Sequence, residues 1–193
     1  MNKRLAETIE QIDQANQDDP NNYRGTPLAL TQGRRASGWL VKLVESPSEE
    51  LEIAVRAHHL KRWELERSAF PEGRAGYLNW RRTNKKHQAA STIKIMEACG
   101  YDELACAKVT ELLLRRKLGE DPETQALEDA ACLVFLETQF DEVTTRLGED
   151  KMIDVVAKTL KKMSPAAIAL AADTTEGEQA ARILTAADQL ANR

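Results

Sequence analysis

Three histidines and one aspartate stand where simple packing does not ask for them. His58 and His59 lie among Ile53, Ala54, Val55, Ala57 and Leu60, His87 opens the apolar half of its segment, and Asp129 interrupts the most apolar run of the chain, Ala126 to Leu136. Adjacent histidines on a helix point about 100° apart, so His58 and His59 cannot chelate as residues at i and i+4 do. His59, His87 and Asp129 fall on three separate predicted helices. Imidazole nitrogen and carboxylate oxygen together suit a borderline divalent ion, which makes these three the candidate metal ligands. Asp129 shares a helix face with Ala126 and Leu133, so its carboxylate must be hydrogen-bonded, ion-paired or metal-bound. The plainer alternatives are a satisfied core histidine at 59 or 87 and a cap or ion pair at 129.

A second feature is electrostatic. The chain of 193 residues carries a net charge of −4, yet Gly73 to Met96 contains no acid. Arg74, Arg81, Arg82, Lys85, Lys86 and Lys94 give that window +6, so the remainder carries −10. A concentrated positive patch on an acidic protein points to an anionic partner, or else to a solvated helix face balanced by acids elsewhere in the fold. Tyr77 and Trp80 lie inside the window and are read as packing anchors. Nucleic acid would rest on this window alone, and the overall acidity argues against it.

Other chemistry is excluded by pattern. The chain has no GxxxxGK[ST] loop, GxGxxG after a strand, GxSxG elbow or HExxH helix. Cys99, Cys106 and Cys132 form an odd set without CxxC spacing and are read as core. No apolar stretch reaches the roughly 20 residues of a membrane span, and the first residues lack the apolar core of a signal peptide. A cytoplasmic location and no membrane contact are therefore expected. Nothing in the sequence fixes an oligomeric state.

The elements that must position these residues are helices. The chain is 42% hydrophobic and 5% aromatic, rich in Ala, Leu, Glu, Lys and Gln, which favour helix. Proline–cap pairs mark helix entrances at Ser46-Pro47-Ser48-Glu49, Asp121-Pro122 and Ser164-Pro165, with a weaker box at Thr175 to Glu178. Gly100, Gly119 and Gly148 mark helix exits. The punctuation predicts about eight helices near 2–16, 33–45, 47–65, 76–98, 102–118, 122–140, 149–162 and 165–191, the last broken around 173–175. Short helical turns are allowed over 141–147. No strand, repeat or linker is expected, so 1–193 is read as a single all-α domain.

Three blocks carry a family resemblance: Arg56-Ala57-His58-His59-Leu60-Lys61-Arg62-Trp63, Phe70-Pro71-Glu72-Gly73-Arg74-Ala75-Gly76-Tyr77-Leu78-Asn79-Trp80-Arg81, and Leu127 to Glu137. The chain resembles, from about Ile12 to Ser164, a family of uncharacterised bacterial and fungal proteins described as a domain of unknown function. That family is in turn distantly similar to the all-helical HD phosphohydrolase superfamily, in which a histidine, a His-Asp dyad and a later aspartate hold a metal that activates water. The resemblance implies an HD-like helical bundle with His59 as the first histidine, His87 as the dyad histidine and Asp129 as the last aspartate. Gln88 stands where the dyad aspartate belongs, which puts tight or binuclear metal binding in doubt.

Two functions follow. In the first, a metal-dependent phosphohydrolase acts on a small phosphate ester or nucleotide. One Mn, Fe, Ni, Co or Zn ion is held by His59, His87 and Asp129, with Glu128 as orienter or base. Arg62, Arg74, Arg81, Arg82 and Lys86 bind the phosphate. In the second, a non-catalytic module binds an anion or nucleotide, or another protein, through a degenerate site.

Overall fold

The computed structural model describes residues 2–174 and 177–191. Among them are nine α-helices: α1 (Lys3–Ala15), α2 (Leu28–Leu43), α3 (Glu49–Ala57), α4 (Gly73–Ala98), α5 (Glu103–Leu114), α6 (Pro122–Leu147), α7 (Glu149–Leu160), α8 (Pro165–Ala171) and α9 (Glu178–Ala191). Three single 3-10 turns and one two-residue antiparallel hairpin, β1 (Asn22–Tyr23) with β2 (Thr26–Pro27), complete the described elements. The all-α expectation holds, with more helices than the eight expected. The chain groups into two compact units, residues 1–127 and 128–193, and the boundary falls within α6.

In the first unit α3 packs against α1, α2, α4 and α5. It is buried on most sides, with Leu51, Ile53, Ala54, Val55 and Ala57 all removed from solvent. Its entrance is cut by Ser48, whose Oγ accepts from the Leu51 N–H at 3.1 Å. The cap is therefore Ser48 rather than Ser46, and Pro47 lies outside the helix. Its exit comes eight residues earlier than the predicted 65. His58 caps α3, and Lys61 takes a left-handed conformation at φ 53°. That conformation costs a non-glycine residue energy and needs outside support. Asn16, just beyond α1 and 1% exposed, supplies it by accepting from the Lys61 N–H at 3.2 Å.

The same helix is clamped from α1. Asp13 receives a two-pronged bond from Arg56, Nε to Oδ1 at 2.6 Å and Nη2 to Oδ2 at 2.7 Å. Arg56 Nη1 also donates to Ser37 of α2, and Arg34 Nε donates to the same carboxylate. The Arg56 and Asp13 side chains are only 14% and 15% exposed, so this pair is far better shielded than a surface bridge. α2 approaches α3 through Gly33, where an added Cβ would lie 2.7 Å from the Arg56 carbonyl oxygen. The start of α2 was expected at 33 and comes at Leu28. Pro27 offers no side-chain cap, and the Asp19 carboxylate does the capping by accepting from Ala29 N–H at 2.8 Å.

α4 begins at Gly73, three residues before the predicted start. Gly76 lies so close to Pro71 that a Cβ would overlap its carbonyl oxygen. α5 ends at Leu114, four residues early, where Arg115 turns left-handed at φ 56°. α6 starts at Pro122 as expected, with the Asp121 carboxylate accepting from Thr124 N–H. It runs on through 141–147, carried by the buried Phe140, Val143 and Thr144, and stops where Gly148 takes φ 83°.

In the second unit α7 and α9 pack together through Met152, Val156 and Leu160 facing Ala180, Ile183 and Ala187, all buried at helical spacing. α8 opens at Ser164-Pro165 as expected, with Ser164 Oγ accepting from Ala167 N–H. The break expected after it is present, as a 3-10 turn at Ala172–Thr174. Thr175 and Glu176 of the predicted fourth cap lie outside the described residues.

Replacing Asp13 by Ala strands the Arg56 guanidinium in a shielded position. The variant should lose about 3 kcal/mol of unfolding free energy in urea titrations followed by circular dichroism. A loss under about 1 kcal/mol, the scale of exposed pairs, would show that the clamp is not a structural anchor.

Candidate functional site

The turn that ends α3 sets His59 and Arg62 beside the first half of α4. His59 is half-buried, and its Nδ1–H donates to Gln32 Oε1 on α2 at 2.6 Å. This bond fixes the tautomer and leaves a lone pair on Nε2. Burial first, then His58, whose ring stacks at 4.1 Å, and then the guanidinium groups of Arg62, Arg115 and Arg81 hold the His59 imidazole well below its usual pKa of 6.5. It is therefore neutral at pH 7.

Three arginines from three places add to the lowering of this imidazole's pKa, after burial and His58: Arg62 in the turn, Arg115 at the end of α5, and Arg81 on α4. Arg62 lies over the Trp80 ring at 4.7 Å, and burial lowers its pKa, opposed by Tyr77 and aided to a lesser degree by Arg81. Trp80 is itself fixed by donating Nε1–H to Leu65 O at 2.8 Å, so it serves as the packing anchor expected of it. Arg115 Nη1 donates to Leu113 O. Among the described residues neither Arg62 nor Arg81 has a carboxylate partner. Guanidinium groups held close and partly desolvated repel one another, and an anion between them removes that repulsion.

Asn84 and Gln88 share the helical face of Arg81, at i+3 and i+7. Asn84 is 1% and Gln88 3% exposed. Asn84 Oδ1 and Gln88 Nε2 are buried without a hydrogen-bond partner. Each such atom costs about 1–3 kcal/mol. Of the three described non-glycine residues with positive φ, Lys61 adjoins Arg62 and Arg115 is itself in the cluster. Strained backbone gathers at sites whose surroundings over-determine it.

The remaining residues singled out by sequence fall elsewhere. Arg74, Arg82 and Lys86 are exposed. Arg82 and Lys86 lie about 100° and 140° round α4 from Arg81, and Arg82 bonds Asn79. His87 lies about 120° from Arg81, and its Nε2 pairs with Glu64 at 2.9 Å near the surface. Glu64, also held by Lys61, has its pKa lowered by these bonds, against burial. In the second unit Asp129, 3% exposed, accepts from the Ser164 N–H at 2.9 Å. It therefore supports the entrance to α8, the cap alternative raised for it. Its neighbour Glu128 is buried with Lys162 Nζ at 4.0 Å. Among the described residues no group of three or more His, Cys, Asp or Glu side chains is arranged to hold a metal ion. Cys106 and Cys132 are buried, as expected, while Cys99 is half-buried.

Sequence reading missed Gln32 and Arg115 near His59, and Asn84 on the Arg81 face of α4. The i+3 and i+7 spacing from Arg81 was the available signal for the α4 pair. Gln32 and Arg115 are brought in by tertiary packing and have no local mark.

A family model described as a domain of unknown function, DUF4202, matches residues 6–184. No curated protein and no solved structure matches the chain. Among the described residues no helix is long and apolar enough to cross a membrane.

Two outcomes test these assignments. Because the folded His59 resists a proton that the unfolded chain accepts, the unfolded state binds more protons below pH 6.5, and stability should fall as pH drops from 7 toward 5. His59→Gln should flatten that slope in melting curves taken across the range; an unchanged slope would refute the neutral, shielded imidazole. Asp129→Ala leaves the Ser164 N–H without its acceptor and should cost about 1–3 kcal/mol in chemical denaturation, whereas a neutral result would remove the capping role.

Proposed function

The chain belongs to the DUF4202 family, whose description assigns no reaction, and we propose from the site itself that it binds a small phosphate-bearing anion at Arg62, Arg81 and Arg115 beside His59. The observation that carries this reading is the pair of half-buried arginines, 62 and 81, with no carboxylate partner among the described residues. A cation drawn partly out of water without a counter-charge is costly. Phosphate, with several acceptor oxygens, matches the fork of guanidinium donors better than any monovalent anion. Neutral His59 adds a site at Nε2 able to accept from a protonated phosphate oxygen or a ligand hydroxyl. Gln88 in place of an acid fits the same reading, because a carboxylate there would repel the anion and attract the arginines.

A second reading keeps the HD-like chemistry, a metal at His59, His87 and Asp129 serving hydrolysis of a phosphate ester. The neutral imidazole favours it, since a metal ligand must be unprotonated. Against it stand the positive field around His59, the Glu64 partner of His87 and the Ser164 partner of Asp129.

Calorimetric titration of the full chain with pyrophosphate and nucleoside monophosphates at low and moderate salt separates the two. Binding that weakens with salt, and that falls about tenfold or more in Arg62→Gln and in Arg81→Gln, is the expected result. The exposed Lys86→Gln should change it less than about twofold. No binding, or equal losses in all three variants, overturns the proposal. One equivalent of transition metal in protein prepared without chelator, with phosphoesterase activity lost in His59→Gln, would establish the second reading instead.

A further inference from the structure

The α4 face that presents Arg81 continues into the core as Asn84 and Gln88, at spacings of three and four that keep all three side chains on one side of the helix. Asn84 offers a buried acceptor, Oδ1, and Gln88 a buried donor, Nε2, neither of them partnered. The orientation of Asn84 is set, because its Nδ2 donates to the Trp80 carbonyl at 3.3 Å. The two orphans are thus complementary rather than two instances of one defect. Elsewhere in the buried part of α4 polar side chains are satisfied within the helix: Thr92, also fully buried, donates to the Gln88 carbonyl at 2.7 Å.

Bare phosphate presents mainly acceptors and would meet Gln88 alone. An aliphatic group would meet neither. Residues four apart on a helix stand about 6 Å apart along its axis, a separation that two neighbouring ligand atoms span better than one hydroxyl oxygen. We propose that Asn84 and Gln88 read the organic part of the ligand whose phosphate is held by Arg62 and Arg81, and that this part presents a hydrogen-bond donor beside an acceptor, as an amide, a lactam or the edge of a nucleobase does. This rests on the anion-binding reading. It makes Gln88, the residue that departs from the HD pattern, a determinant of specificity.

The probes are ribose 5-phosphate and the four common ribonucleoside 5′-monophosphates, titrated into the full chain. At least one nucleotide should bind about tenfold or more tightly than ribose 5-phosphate, since unpaired polar groups in a site discriminate against ligands that leave them unpaired. Gln88→Met keeps side-chain length and volume while deleting the donor. It should melt no lower than the parent chain and lose that selectivity. Equal affinity for ribose 5-phosphate and all four nucleotides overturns this inference and leaves the anion site standing. Selectivity that survives Gln88→Met overturns the role of Gln88. Failure of every phosphate to bind overturns the anion reading and this inference with it. The comparison of ligands on the parent chain decides the matter even where the variant does not fold.

Discussion

The shielded ion pair between Asp13 and Arg56 is the constraint from which the first unit is built. A two-pronged carboxylate–guanidinium bond fixes orientation as well as distance, so α1 and α3 cannot rotate about their own axes without breaking it. Ser37 extends the constraint to α2, and the close approach at Gly33 leaves no room for slack between α2 and α3. One turn further along, Asn16 reaches from the end of α1 to the backbone of Lys61. The two contacts together determine where α3 stops and how the chain leaves it. His59 and Arg62 take their places from that exit, not from any property of their own.

What gathers at the exit is unusual in its charge balance. Several basic side chains of the unit have acidic company: Lys108 with Glu123, Lys117 with Glu111, Arg34 and Arg56 with Asp13. Arg62 and Arg81 instead have aromatic company, Trp80 and Tyr77. An aromatic face supports a guanidinium group without neutralising it, so the positive potential remains available to a ligand. His59 beside them is kept neutral first by burial, then by His58, with the arginines adding to the effect.

Much of this was legible from the sequence and some was not, for identifiable reasons. Asp121-Pro122 and Ser164-Pro165 announced α6 and α8 because their capping groups lie within three residues of the N–H they serve. The start of α2 was missed because its cap comes from Asp19, a residue outside the local window. The end of α3 was missed because the atom that stabilises the left-handed Lys61 belongs to Asn16, 45 residues away. The basic window was visible as composition, and the structure sorts it: Arg81 joins the cluster, while Arg74, Arg82 and Lys86 are exposed. Gln32 and Arg115 could not have been selected, since only packing brings them near His59. Asp129 was rightly read as a buried acid in need of a partner, and that partner is a backbone amide 35 residues on.

The contact between Asn16 and Lys61 also sets different rules for change at its two ends. Asn16 contributes its side-chain oxygen, whereas residue 61 contributes only main chain. Over evolutionary time position 61 is consequently open to drift among residues that tolerate positive φ, glycine and asparagine foremost, while position 16 is not. The exposed ion pair of Lys61 with Glu64 is worth little and would not resist such drift. Homologues should therefore be recognised at this corner by a preserved backbone shape and a preserved residue 16, with the lysine itself interchangeable.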